Sequence, residues 1–198
     1  MSSNRHKNVI SRTYPSSILS GMQTTPRFLE SLHQVDLRMM LWCSKSRHHN
    51  ILVQLAKQIS RSGDGLIQVL LPLGLFALSV DDSLLFLKMV ITAFLIERPL
   101  YWLLKNTLKR HRPPESIPDF QAVITASDKF SFPSGHTAAA FLLATLALLT
   151  YGMTAWILLP WALCVGASRV VLGVHFPGDI LAGATLGTVI GFFTASLF

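Results

Sequence analysis

Residues 130–168, FSFPSGHTAAAFLLATLALLTYGMTAWILLPWALCVGAS, are 39 consecutive positions without Asp, Glu, Lys or Arg. A helix that spans a bilayer needs roughly 17–25 apolar residues. Gly152 lies in the middle of the run and divides it into two predicted helices, about 137–151 and 153–168. Outward from this stretch the same character recurs. Residues 65–80 are uncharged and closed by Asp81-Asp82, residues 84–104 are interrupted only by Lys88 and Glu97-Arg98, and residues 180–198 carry no charge. Five spans are therefore predicted, the first and third of them short. Only helices and closed barrels satisfy their backbone polar groups inside a bilayer, and strand-like alternation is lacking. The expected fold is an all-α integral membrane bundle of about five transmembrane helices. Gly183, Gly187 and Gly191 recur every fourth residue in the last span, a small-residue stripe assigned to close helix packing.

Composition agrees. The chain is 51% hydrophobic and only 14% charged, against the roughly 25% of an ordinary soluble domain. Its mean hydropathy is +0.46. These values exclude intrinsic disorder and a soluble globule of this size. The formal net charge of +7 is carried entirely by residues 1–62, which hold nine basic and two acidic residues. In front of five spans this excess reads as an orientation signal, not as a nucleic-acid surface: basic segments near the first span tend to stay in the cytoplasm. Three regions are expected: a mobile polar tail over 1–26, amphipathic interfacial helices over 27–62, and a membrane-embedded domain over 63–198. The segments Arg27–Ser44 and Ile51–Ile59 suit helices lying in a bilayer surface or packed on the protein. The basic N-terminus has no apolar core behind it and is not read as a signal peptide. Cys43 and Cys164 match no metal-ligand spacing or disulfide framework, and Cys164 is expected to be a small core residue.

Charges at membrane edges are costly and usually have a purpose. They gather in three places. The first is Lys105-Asn-Thr-Leu-Lys-Arg-His-Arg112-Pro113 at the end of the second span. Lys105 and Arg112 would share a face of a continued helix, although Pro113 disfavours helical geometry at Arg112. The second is Pro133-Ser134-Gly135-His136 before an Ala/Leu-rich helix. Ser134 suits the cap, and the Gly135 and His136 amides would face outward as an anion site. The third is Ser168-Arg169 followed by His175 and, four residues on, Asp179. A carboxylate on one imidazole nitrogen fixes the tautomer and activates the other. Gly173 is expected to end the fourth span and let Arg169 and His175 converge. Alternation of the spans puts all three places on one side of the membrane. Three fixed cations with helix-start amides match the spread charge of a phosphoryl group. One histidine can attack phosphorus while the other protonates the departing oxygen. No carboxylate cluster suited to a metal is visible, so no metal or other cofactor is expected.

In order and spacing, these strings resemble the signature of the type-2 phosphatidic-acid phosphatase superfamily: Lys, six residues, Arg-Pro; Pro-Ser-Gly-His; Ser-Arg, five residues, His, three residues, Asp. The resemblance covers about residues 60–198. It implies a membrane-bound, metal-independent phosphatase with His175 as the nucleophile forming a phosphohistidine and Asp179 orienting it. His136 would be the acid for the leaving alcohol and the base for water. Lys105, Arg112, Arg169, Ser134 and the Gly135 amide would bind phosphate oxygens. The implied substrate is a lipid-linked phosphate or diphosphate of the phosphatidic acid, phosphatidylglycerol phosphate or undecaprenyl diphosphate class, in a bacterial inner membrane, with membrane lipids as surroundings and no nucleic-acid partner. The same site could serve a phosphotransferase, or survive in a non-catalytic scaffold or transporter. Charge counting puts the site on the cytoplasmic face, whereas the resemblance points to the outer one. Lys109, Arg110 and His111 fall outside the signature and are expected to form a solvated basic patch. Glu97 and Arg98 are expected to satisfy each other or a neighbouring helix.

Overall fold

The computed structural model describes residues 34–41, 50–126 and 128–198. The predicted tail, Cys43 and much of the first amphipathic segment lie outside them. Every regular element among the described residues is a helix. These are α1 (34–41), α2 (Asn50–Ser62), α3 (Leu66–Ala77), α4 (Ser83–Leu108), α5 (Gly135–Tyr151), α6 (Leu158–Val171) and α7 (Pro177–Ala195). A 3₁₀ turn over Gly152–Ala155 joins α5 to α6, and one helical turn over Pro113–Ser116 sits in the loop after α4.

Each of the five predicted spans is a helix, α3 to α7, but the short ones are the first and the fourth. Gly152 turns the chain with φ 61°, a left-handed value that favours glycine. The chain then continues as 3₁₀ to Ala155, which lengthens the third span to 21 residues and shortens the fourth to 14. Gly135–Ala155 and Pro177–Ala195 are long and apolar enough to cross a membrane. With 26 residues α4 is longer still, but it carries Lys88, Glu97, Arg98 and Lys105. At ~1.5 Å per residue, α3 and α6 reach about 20 Å, short of the roughly 30 Å hydrocarbon layer.

The centre of the bundle is α5, whose Ala138, Ala140, Leu142, Leu143, Ala144 and Leu146 are fully buried. Phe86, Met89, Val90 and Ala93 of α4 close on one side of it, and Ile190 of α7 joins the same cluster. The contact of α7 with α5 is the most extensive in the described bundle, and the glycine stripe makes it possible. A Cβ at Gly187 would stand 2.1 Å from the Ala138 carbonyl oxygen, and one at Gly183 would stand 2.5 Å from that of Ser134. These clashes are with backbone, so no rotamer change relieves them. Gly187→Ala is expected to destabilise the detergent-solubilised protein by at least the ~1–3 kcal/mol typical of overpacking, read as a lower thermal midpoint. Gly74→Ala in α3, where a Cβ meets nothing within 4 Å, is expected to be neutral or to gain up to about 1 kcal/mol from helix propensity.

The outer faces are apolar. Leu66, Leu70, Trp102, Leu163, Leu181 and Phe192 are among many large hydrophobic side chains turned outward, a surface suited to lipid. Cys164 shares that outward face and is exposed, not core. In a membrane protein an apolar run marks the lipid side as readily as the interior, which is why its position in the run misled. Where described, both amphipathic segments pack one face on the bundle. Leu37 and Met40 of α1 meet Ile117, Val170 and Phe176, and Ala56 of α2 meets Leu172 and Val174. Val35 and Met39 of α1, and Ile51, Leu52 and Leu55 of α2, remain outward.

Candidate active site

Lys105 lies in the last turn of α4 and is buried. The helix stops at Leu108 because Lys109 takes a left-handed conformation (φ 46°), and Arg112 is extended at φ −79°, ψ 161°. Lys105 and Arg112 therefore do not meet on a common helix face as the spacing suggests; the chain turns back between them. Both converge on Asp128. Lys105 Nζ is 2.6 Å from its Oδ2, and the Arg112 guanidinium pairs with Oδ1 while Nε donates to the Asp128 carbonyl at 3.0 Å. Arg112 also donates to the Val174 carbonyl, tying this loop to the start of α7. The Tyr101 hydroxyl accepts from Lys105 and donates to Asp128 Oδ2 at 2.9 Å. Partial burial alone would raise the Asp128 carboxyl, but the hydrogen bond and charge of Lys105, with the charge of Arg112, bring it below the ordinary range.

Ser134 stands at the N-cap position of α5, yet its hydroxyl makes no cap bond; it accepts from Thr137 Oγ1 at 3.0 Å. The expected side-chain cap is thus replaced by a bond within the helix. Its N–H donates to the Asp179 carbonyl at 3.0 Å and joins the starts of α5 and α7. Gly135 lies against Tyr101, where a Cβ would approach ring atoms to 3.0 Å. In the first turn, the Gly135 and His136 amides have no intrahelical acceptor. His136 Nε2 is 2.6 Å from Oδ1 of Asp64, in the turn between α2 and α3.

Arg169, near the end of α6, is buried; one guanidinium nitrogen donates to Ser60 Oγ of α2 at 2.6 Å, and Nε has no partner among the described residues. Gly173 follows with φ 82°, and the Val174 N–H closes on the Arg169 carbonyl at 3.2 Å. That reversal brings Arg169 and His175 together, as anticipated from the glycine. His175 is 2% exposed, with Nδ1 3.6 Å from Asp179 Oδ2 across the first turn of α7. Burial pushes its imidazole down to about 4; Arg112 and Arg169 push the same way, against the opposing pull of Asp179. His175 is therefore neutral at physiological pH, and a carboxylate opposite Nδ1 favours the tautomer that leaves a lone pair on Nε2.

Arg110 departs from its expected place in a solvated patch. Lys109 is outward and His111 pairs with Glu115 at 2.7 Å, but Arg110 turns inward. It donates to Asp179 Oδ1 at 2.7 Å and to Asp36 Oδ2 of α1 at 2.6 Å. A long guanidinium bends toward a buried carboxylate when one is in reach, because an unpaired buried charge is expensive. The pair Glu97–Arg98 forms as expected.

All eight candidate residues thus gather where α4, α5, α6 and α7 end or begin. A cavity of about 1310 Å³ opens beside them. Asp128, Gly135, His136 and Arg169 line it, while the buried Lys105, Arg112 and His175 are not in its wall. Four partners were missed in the sequence: Asp64, Asp128, Arg110 and Asp36. Each is a charge that answers another across many residues, and spacing carries no such signal. Asp64, an acid framed by two glycines at the start of the membrane domain, was the most visible. Among the described residues no three His, Cys, Asp or Glu side chains gather in a group that could hold a metal ion.

The sequence profile of the PAP2 superfamily matches residues 83–198. The bacitracin transport permease protein BcrC of Bacillus licheniformis is 33% identical over 103 residues, which cover 52% of this chain and 51% of that one. A decaprenylphosphoryl-5-phosphoribose phosphatase of Mycobacterium tuberculosis is 33% identical over 91 residues, covering 45% and 48%. The chain spans about half the length of the curated relatives it matches. The crystal structure of a transmembrane PAP2-type phosphatidylglycerolphosphate phosphatase from Bacillus subtilis superposes with TM-score 0.68 at 26% identity, covering 91% of this chain and 90% of the other.

Proposed function

The chain belongs to the PAP2 superfamily, and we propose that it is an integral membrane phosphatase of a bacterial inner membrane, hydrolysing a lipid-linked phosphate or diphosphate without a metal. One observation carries the lipid reading. The cavity that holds His136 and Arg169 at one part of its wall is lined elsewhere by Val69, Leu73, Leu87, Val90, Ile91 and Phe94 of α3 and α4. A substrate filling it is anionic at one end and apolar at the other. Lys57 and Arg61, one turn apart on α2, line the same cavity, which favours a diphosphate or a second anionic group on the head.

In the proposed reaction Lys105, Arg112, Arg169, Ser134 and the Gly135 amide hold the phosphoryl oxygens. Arg112 and Lys105 exchange Asp128 for the substrate. His175 Nε2 attacks phosphorus, the bond from phosphorus to the leaving oxygen (the lipid oxygen of a monophosphate, the bridging oxygen of a diphosphate) breaks, and His136 gives that oxygen a proton. His136 then takes a proton from water, whose oxygen displaces His175 and releases inorganic phosphate. Asp64 fixes the orientation of the His136 ring, and Asp179 that of His175. The positive charge that stabilises the transition state comes from side chains and amides already in place.

The purified protein in detergent is expected to release phosphate from a panel of lipid monophosphates and diphosphates, with full activity in EDTA and inhibition by orthovanadate. A strict requirement for added magnesium, or no turnover on any member of the panel, contradicts the reading.

A further inference from the structure

Asp179 is fully buried, and both its oxygens are engaged. Oδ1 accepts from Arg110 at 2.7 Å, and Oδ2 accepts the Phe176 N–H at 2.8 Å. The carboxylate therefore cannot rotate, and Oδ2 is kept on the side of His175. Arg110 is itself immobilised. Its guanidinium lies over the Phe176 ring, 4.3 Å from the centroid, and its second nitrogen donates to Asp36 at 2.6 Å. The other oxygen of Asp36 accepts the Gly178 N–H at 2.8 Å, so α1 grips the turn between His175 and Asp179 directly. Gly178 is required for that approach, since a Cβ there would stand 2.7 Å from Asp36 Oδ2. Neither end of this relay is incidental: one end is the partner of the candidate nucleophile, and the other comes from a helix outside residues 83–198 that the family profile matches.

We propose that Arg110 and Asp36 are positioning residues of the reaction: Asp36 holds Arg110, and Arg110 holds the Asp179 carboxylate in the orientation that serves His175. A planar fork suits this role because its donors bond two carboxylates in fixed directions, whereas an ammonium group on a flexible stem keeps the charge but fixes neither direction. Helix α1 is thereby part of the active-site architecture and not an appendage to the membrane domain. The inference rests on the phosphatase reading above.

The test is steady-state phosphate release by the protein in detergent, with thermal midpoints measured on the same samples. Arg110→Gln is expected to lower kcat roughly tenfold or more with KM within about twofold, the pattern of an interaction that acts on the chemical step. Asp36→Asn, which keeps the shape of the side chain, is expected to lower kcat by a smaller factor. Arg110→Lys is expected to recover part of the loss of Arg110→Gln. The double variant Asp36→Asn/Arg110→Gln is expected to lose no more than Arg110→Gln alone, because the two act through one carboxylate. Unchanged kcat in the single variants, losses that multiply in the double variant, or losses that merely track a falling thermal midpoint overturn the proposal. Failure of the phosphatase reading is told apart by the unaltered protein, which would then show no release at all and overturn both.

Discussion

His175→Ala is expected to abolish phosphate release from a lipid phosphate, a loss on the order of 10⁴-fold or more, while the protein stays folded in detergent. His175 is 2% exposed and held neutral, with its pKa lowered to about 4 by desolvation. A neutral imidazole with Asp179 behind Nδ1 is a nucleophile that needs no further activation at pH 7. In the proposed site Lys105, Arg112 and Arg169 bind the phosphate and the substitution leaves them in place, so inorganic phosphate is expected still to bind the variant. The same burial gives a second readout. In the unfolded chain this histidine takes up a proton near its ordinary 6.5, whereas the folded protein resists until about 4. Between those values the unfolded state binds more protons, so stability falls as pH drops from about 6.5 toward 4. His175→Ala is expected to remove this contribution and flatten the pH dependence of the thermal midpoint in that window.

His136→Asn is expected to slow hydrolysis of a lipid phosphate by roughly 10²–10⁴-fold, the range of a lost general acid or base. The substrate decides whether the role is chemical. An alkoxide leaving group needs a proton, but a nitrophenolate does not. On p-nitrophenyl phosphate the variant is expected to keep most of the rate of the first step and to lose the second, because water still lacks its base. The observable is a burst of nitrophenolate equal to the enzyme concentration, followed by a slow steady state. Equal loss on both substrates with no burst contradicts the assignment. Asp64→Asn, which weakens the 2.6 Å contact to Nε2, is expected to shift behaviour in the same direction by a smaller factor.

The spans were legible because charge-free runs and their terminating charges are local properties of a chain in a bilayer. Their lengths were less so. Gly152 marks a real break, but the 3₁₀ turn behind it moved the boundary and left α6, not α5, short. Cys164 could not be placed from its apolar neighbours, since lipid and protein interior select the same residue types. In the site, Gly173 is legible as the turn that joins Arg169 to His175 because a positive φ is a property of one residue. Lys105 and Arg112 share no helix face, because Lys109 ends the helix between them. The acids Asp128, Asp64 and Asp36 escaped notice for a different reason. Each is defined only by the cation or histidine it meets in space, as Asp36 meets Arg110 across 74 positions of sequence. Arg110, one of several adjacent basic residues, looked solvated until its two carboxylates were in view.

In the proposed reaction phosphorus passes through a covalent intermediate bonded to His175. It is trapped by quenching the His136→Asn variant in base during turnover of ³²P-labelled p-nitrophenyl phosphate, whose leaving group needs no acid, and mapping the label. Base preserves a phosphorus–nitrogen bond, and the variant lacks the residue that hydrolyses it. One label per active enzyme is expected, acid-labile and confined to the peptide that contains His175, and none in the His136→Asn/His175→Ala double variant. Label on any other residue, or label that persists without His175, would contradict that intermediate.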